Sequence, residues 1–104
     1  MSIVSVYAVF ADTEEAERIG RQMVEERLAA CVNILAPCQS IYRWQGGVEG
    51  AGEVPALFKT ADHQAEMLMT RIAGLHSYDT PCVVVWPIDK LLGSYAEWIE
   101  ASVG

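Results

Sequence analysis

A chain of 104 residues is expected to form one domain, residues 1–104. Its formal net charge of −7 argues against nucleic acid and anionic membrane surfaces as partners, because both require clustered Lys and Arg. At 52% hydrophobic residues it has apolar surface to spare, yet no run approaches the roughly twenty apolar residues that cross a membrane; the surplus points to subunit contacts.

Ile3 to Phe10 reads as a nearly continuous apolar strand, covered on at least one face. Asp12 follows as a helix cap, with Glu15 completing a capping box. Ala16, Ile19, Met23, Val24 and Leu28 share one face of a helix over 13–28, and Glu14–Arg18 and Glu17–Arg21 pair on the other. Strand-like sequence then occupies about thirty residues. It is divided into a strand at 30–36, a continuation at 39–45, a turn at 46–52 marked by its glycines, and a return strand at 53–60. Pro37 cannot donate to a ladder and marks a bulge or bend. Asp62 or Thr60 caps a second helix whose apolar face is Ala65, Leu68, Met69, Ile72 and Leu75. A polar loop through Pro81 leads to the short strand Cys82–Trp86, which Pro87 stops. Ser94 and Glu97 form another capping box for a last helix, with Tyr95, Trp98 and Ile99 on its apolar side.

The order β-α-β-β-α-β plus a terminal helix is the split βαβ pattern. It predicts an α+β, ferredoxin-like sandwich: an antiparallel four-stranded sheet with two helices on one face, a long β-hairpin and an extra C-terminal helix. A domain of this size cannot cover both faces of so long a hairpin. Part of it is expected to project and pair with another copy of the chain. The three cysteines, Cys31, Cys38 and Cys82, lack CxxC spacing and form neither a disulfide framework nor a zinc site. The N-terminus lacks the pattern of a signal peptide, so a cytoplasmic location with free thiols is expected.

Several motifs resemble one family. Arg27-Leu28-Ala29-Ala30-Cys31-Val32-Asn33-Ile34 is similar to the RLAACVNI stretch of the CutA-type divalent-cation tolerance proteins. Ser40-Ile41-Tyr42-Arg43-Trp44-Gln45-Gly46 resembles their S-I-Y-x-W-x-G, and Leu57-Phe58-Lys59-Thr60 their strand ending in Lys-Thr. His76-Ser77-Tyr78-Asp79-Thr80-Pro81 resembles H-P-Y-E-x-P, and Tyr95 to Ile99 the closing Y-x-x-W-I. The chain departs from the pattern at Ser77, where Pro is usual, at Asp79, where Glu is usual, at Cys82-Val83, where Glu-Ile is common, and at Cys38, where Gly is frequent. The resemblance implies a homotrimer in which hairpins pair across subunits, structurally similar to the PII signalling proteins with their intersubunit ligand clefts.

Three sets of residues carry the functional expectations. His76, Asp79 and Cys31 offer imidazole, carboxylate and thiolate, a set suited to copper or another divalent metal ion, and the resemblance places them near the intersubunit cleft. Cys31 between Ala30 and Val32 also fits a buried small hydrophobe. Lys59, Glu53 and Tyr78 form a ligand-cleft set: Lys59 either pairs with Glu53, Asp62 or Asp79, or presents its charge to a small anionic metabolite, as in a PII-like sensor. Tyr42, Trp44 and Trp98 are expected at the trimer interface, with cleft lining as the alternative. A Cys31–His76 pair resembles a nucleophile and base, but no oxyanion hole, Gly-rich phosphate loop or orienting third residue accompanies it, so binding rather than catalysis is expected. The leading function is divalent-cation tolerance through metal binding at intersubunit clefts. The alternatives are the metabolite sensor and a non-enzymatic interaction scaffold.

Overall fold

The computed structural model describes residues 2–104. Strand β1 (Ile3–Phe10) is apolar because it is covered on both sides: Val4, Val6, Ala8 and Phe10 pack under the first two helices, and Ile3 packs under the last. Asp12 caps α1 (Thr13–Glu25), accepting the Glu15 N–H at 2.8 Å as its spacing predicts. The helix ends at Glu25 rather than at 28. Arg27 enters the left-handed region at φ 61°, and the N–H groups of Arg27 and Leu28 turn back to the carbonyls of Val24 and Met23. Glycine is the usual residue at such a stop. Here the arginine side chain compensates by donating to Gly104 O at 2.9 Å and Ala101 O at 3.1 Å.

Strands β2 (Cys31–Ile34), β3 (Cys38–Trp44) and β4 (Gly47–Ala61) build the long hairpin. The expected turn over 46–52 is much shorter. Gln45 (φ 47°) and Gly46 (φ 83°) alone make it, between the paired residues Trp44 and Gly47. Two positive φ values are the mark of a type I′ turn, whose twist matches that of the strands it joins. The glycines at 47, 50 and 52 are therefore strand residues, and the return strand runs fifteen residues instead of starting at 53. Between the pairs Ile34–Ala56 and Cys38–Glu53, three residues (Leu35, Ala36, Pro37) face two (Val54, Pro55). That is a β-bulge, at the proline that announced it.

Thr60 and Asp62 cap nothing. The buried Thr60 hydroxyl donates to Leu28 O at 2.7 Å, and Asp62–Gln64 form a 3₁₀ turn that runs into α2 (Ala65–Leu75) without a side-chain cap. Strand β5 (Val83–Pro87) ends at its proline, and α3 (Gly93–Ser102) begins behind Leu92 with no capping box. Ser94 already lies inside that helix.

The sheet runs β2-β4-β1-β5, every pair antiparallel, with β3 extending it along β4. Helices α1 and α2 cover one face over Phe10, Phe58, Ile19, Met23, Leu68 and Ile72. Gly20 lets α1 approach β2 closely, since a Cβ there would sit 3.0 Å from Val32 Cγ1. Helix α3 covers only the Ile3–Ala61 end of the other face, through Ala96, Ile99 and Val103. β1 leaves β4 at the pair Phe10–Val54. Beyond it, β3 and the first half of β4 form a two-stranded arm, and the chain measures 45 Å along its long axis against 25 and 23 Å across.

Arg27 gives a test of this account. Replacing Arg27 with Ala removes both bonds to the C-terminal carbonyls and is expected to cost about 1–2 kcal/mol. Arg27→Gly is expected to recover about 1 kcal/mol of that, because glycine occupies φ 61° without the Cβ penalty. Urea unfolding of both variants at one protein concentration measures the difference.

Candidate functional site

Where the arm leaves the sheet, a groove of about 650 Å³ opens on the face opposite α1 and α2. Strand alternation delivers its walls. Ser40, Tyr42 and Trp44 come from β3, Glu53 from β4, Tyr7 and Val9 from β1, and Tyr78, Asp79, Thr80 and Cys82 from the segment before β5. Trp86 stacks on Tyr7 at 4.9 Å and extends the apolar wall.

The polar part is tightly tied. Tyr78 donates its hydroxyl to Glu53 Oε2 at 2.8 Å. Burial, then the bond to Glu53, pushes that phenol up to about 12. Partial burial together with the nearby Glu53 carboxylate also pushes the Cys82 thiol up. Tyr7 is raised by burial and then by Cys38, Cys82 and Glu53, which face it.

Behind the groove, His76 and Glu15 hold the loop in place. The imidazole is buried and stacked on Phe10 at 5.2 Å. Its Nε2 lies 2.8 Å from Val9 O, and its Nδ1 accepts the Tyr78 N–H at 3.0 Å, an arrangement that requires the Nε2–H tautomer. Glu15 does more than complete its box. Its Oε1 accepts the Ala11 N–H at 3.0 Å, and its Oε2 accepts the Ser77 N–H at 2.9 Å. Burial alone would raise this carboxyl, but those donors and the neighbouring His76 pull it below the usual carboxylate range.

The expected metal set is not brought together. Both His76 nitrogens are engaged by backbone. Cys31 lies on β2 beside Lys59, its Sγ 3.4 Å from the Tyr95 hydroxyl, at the α3 end of the sheet. Only Asp79 reaches the groove. No group of three or more His, Cys, Asp and Glu side chains able to hold a metal occurs among the described residues. The Cys31–His76 pair is split for the same reason. Of the ligand-cleft set, Glu53 and Tyr78 meet as expected, but Lys59 does not join them. Its ammonium donates to Asn33 Oδ1 at 3.2 Å rather than to Glu53, Asp62 or Asp79, because Lys59 pairs with Cys31 and Ser5, well along the sheet from Glu53. The groove's cation is Arg43, which the sequence did not single out, and Cys82 enters it rather than packing within the strand. Tyr42, Trp44 and Trp98 are all exposed, Trp98 stacked on Tyr95 at the far end from the arm.

This sheet order, with two helices on one face and a projecting hairpin, defines a ferredoxin-like α+β domain. The chain belongs to the CutA1 divalent ion tolerance family, whose model matches residues 4–102. It is 43% identical over 91 residues to the divalent-cation tolerance protein CutA of Thermus thermophilus, covering 88% of each chain. Against that of Archaeoglobus fulgidus it is 37% identical over 98 residues, covering 94% of this chain and 95% of the other. Among solved structures, CutA from Xylella fastidiosa superposes with a TM-score of 0.97 at 34% identity over 100% of both chains. The Archaeoglobus fulgidus structure, described as a periplasmic divalent cation tolerance protein, gives 0.95 at 35% identity, covering 98% and 99%.

Two substitutions probe this network. Because the Glu15 carboxyl is held below its unfolded value, its contribution is fully present above about pH 4.5 and is lost as pH falls through the folded value. Glu15→Gln is therefore expected to lower stability at pH 7 by about 1–3 kcal/mol and to flatten the acid limb of a stability–pH curve. Glu53→Gln removes the charge that adds to burial in holding the Tyr78 proton, so alkaline spectrophotometric titration should show one phenol moving part of the way from about 12 towards 10.

Proposed function

We propose that the chain serves divalent-cation tolerance as a non-enzymatic, cytoplasmic homotrimer that binds copper or another divalent metal ion where the arm groove meets a neighbouring subunit. The observation that carries this reading is the groove's donor set. Glu53, Asp79 and Cys82 open onto one cavity, with two carboxylates for a hard or borderline ion and a thiol for a soft one. One protomer supplies only part of a coordination shell, and a second copy seated against the groove completes it. The arm supports assembly. Ile41 is 75% exposed, Val48 66% and Trp44 51%, a concentration of apolar surface on two strands with unpaired outer edges. Binding rather than chemistry fits the separation of Cys31 from His76, and a reducing compartment fits three free thiols. An anionic ligand is less well served, because the groove's Arg43 is outweighed by Glu53 and Asp79 and Lys59 lies elsewhere.

Native mass spectrometry and copper titration calorimetry test this together. A trimer is expected for the wild type, and the double substitution Asp79→Asn with Cys82→Ser is expected to weaken copper by at least about tenfold, or 1.4 kcal/mol, while leaving the trimer intact. Since the Cys82 thiol is pushed up, copper must displace its proton, and affinity should rise with pH. Unchanged affinity in the double variant removes the groove as the metal site, and a monomer removes the assembly.

A further inference from the structure

The helical layer carries a second groove, on the opposite side of the sheet from the first. It lies between the C-terminal end of α1 and the outer face of α2, with a volume of about 930 Å³. Leu28, Met67 and Met69 make its apolar floor, and Glu26, Glu66 and Arg71 its rim. Met67 leaves 62% of its surface in solvent, and where Gly74 lines the groove a side chain would meet only open space. The positive charge on the rim is already used. Arg71 donates through Nε and Nη2 to the two carboxylate oxygens of Glu26 at 2.9 and 3.0 Å, and Gln22 braces the same carboxylate at 2.8 Å. Glu66 has no hydrogen bond or ion pair among the described residues, so the rim is net negative.

We infer that this groove docks a basic, amphipathic helical segment of a partner protein. Unbranched thioethers mould to differing apolar anchors, which is why methionine recurs on surfaces that accept helices. A Leu or Phe anchor fits over Met67 and Met69, and a Lys or Arg beside it meets Glu66. The Glu26–Arg71 pair fixes one wall before anything binds, which lowers the ordering cost of docking. The lining residues come from α2 and from the connection after α1, so the groove is independent of the metal reading and of the arm.

The test is titration of the full-length chain, isotope-labelled at its methionine methyls, with a synthetic Leu/Lys amphipathic helix and with its Leu/Glu counterpart of the same length. The Leu/Lys peptide is expected to move the Met67 and Met69 resonances and leave the fully buried Met23 in place. Glu66→Lys, an exposed change that leaves the fold alone, is expected to weaken that peptide about tenfold. Equal binding of the Leu/Glu peptide, movement of Met23 with the others, or no movement of Met67 overturns the inference.

Discussion

One strand constrains the rest of the molecule. β4 is paired along its second half with β1 on one edge and β2 on the other, and along its first half with β3 alone. Fifteen residues of continuous strand cannot be enclosed by a domain whose other strands run from four to eight. The hydrogen bonds of the sheet therefore run out before β4 does. The arm, its exposed Ile41, Trp44 and Val48, and the groove at its base all follow from that shortfall.

The groove keeps its shape through a second, smaller device. Glu15 sits in the first turn of α1 but reaches the loop after α2, and His76 reaches back from that loop to the end of β1. Each oxygen of the buried Glu15 carboxylate and each ring nitrogen of the buried His76 thus has a backbone partner, the arrangement in which burial costs least. Tyr78 and Asp79 are presented by a segment pinned on both sides. His76, with one ring nitrogen on Val9 O and the other on the Tyr78 N–H, is the bracket that orients the residues lining the cavity.

Much of the fold was legible because it rests on short-range chemistry. The apolar face of α1, the Asp12 cap, the proline bulge and the strand that stops at Pro87 each depend on neighbours within a few residues. The period of two along β3 likewise sets Ser40, Tyr42 and Trp44 on one side, the side that lines the groove. The errors fall where two local signals compete or where distance decides. A glycine-rich run reads as a long turn, yet a two-residue turn with Gln45 in the left-handed region leaves those glycines extended. Ser94 and Glu97 have the spacing of a capping box but lie inside a helix that begins at Gly93. Cys31, His76 and Lys59 looked like members of shared sites, but strand register sets which end of the sheet each occupies. That register depends on where β4 meets β1 and β2, which no local pattern encodes.

The bulge at Leu35–Pro37 has a consequence for how such an arm can vary. Upstream of it the odd-numbered residues Cys31 and Asn33 share a face with Lys59 and Leu57; downstream the even-numbered Cys38 and Ser40 share that same face with Glu53 and Ala51. The bulge is a parity switch. Deleting one residue there would turn Tyr42 and Trp44 to the helix side and bring Ile41 round in their place. Length in this hairpin is thus quantised: the arm tolerates growth or trimming only as matched, even-numbered steps in both strands, while a single-codon change at the bulge rewrites its chemistry from end to end.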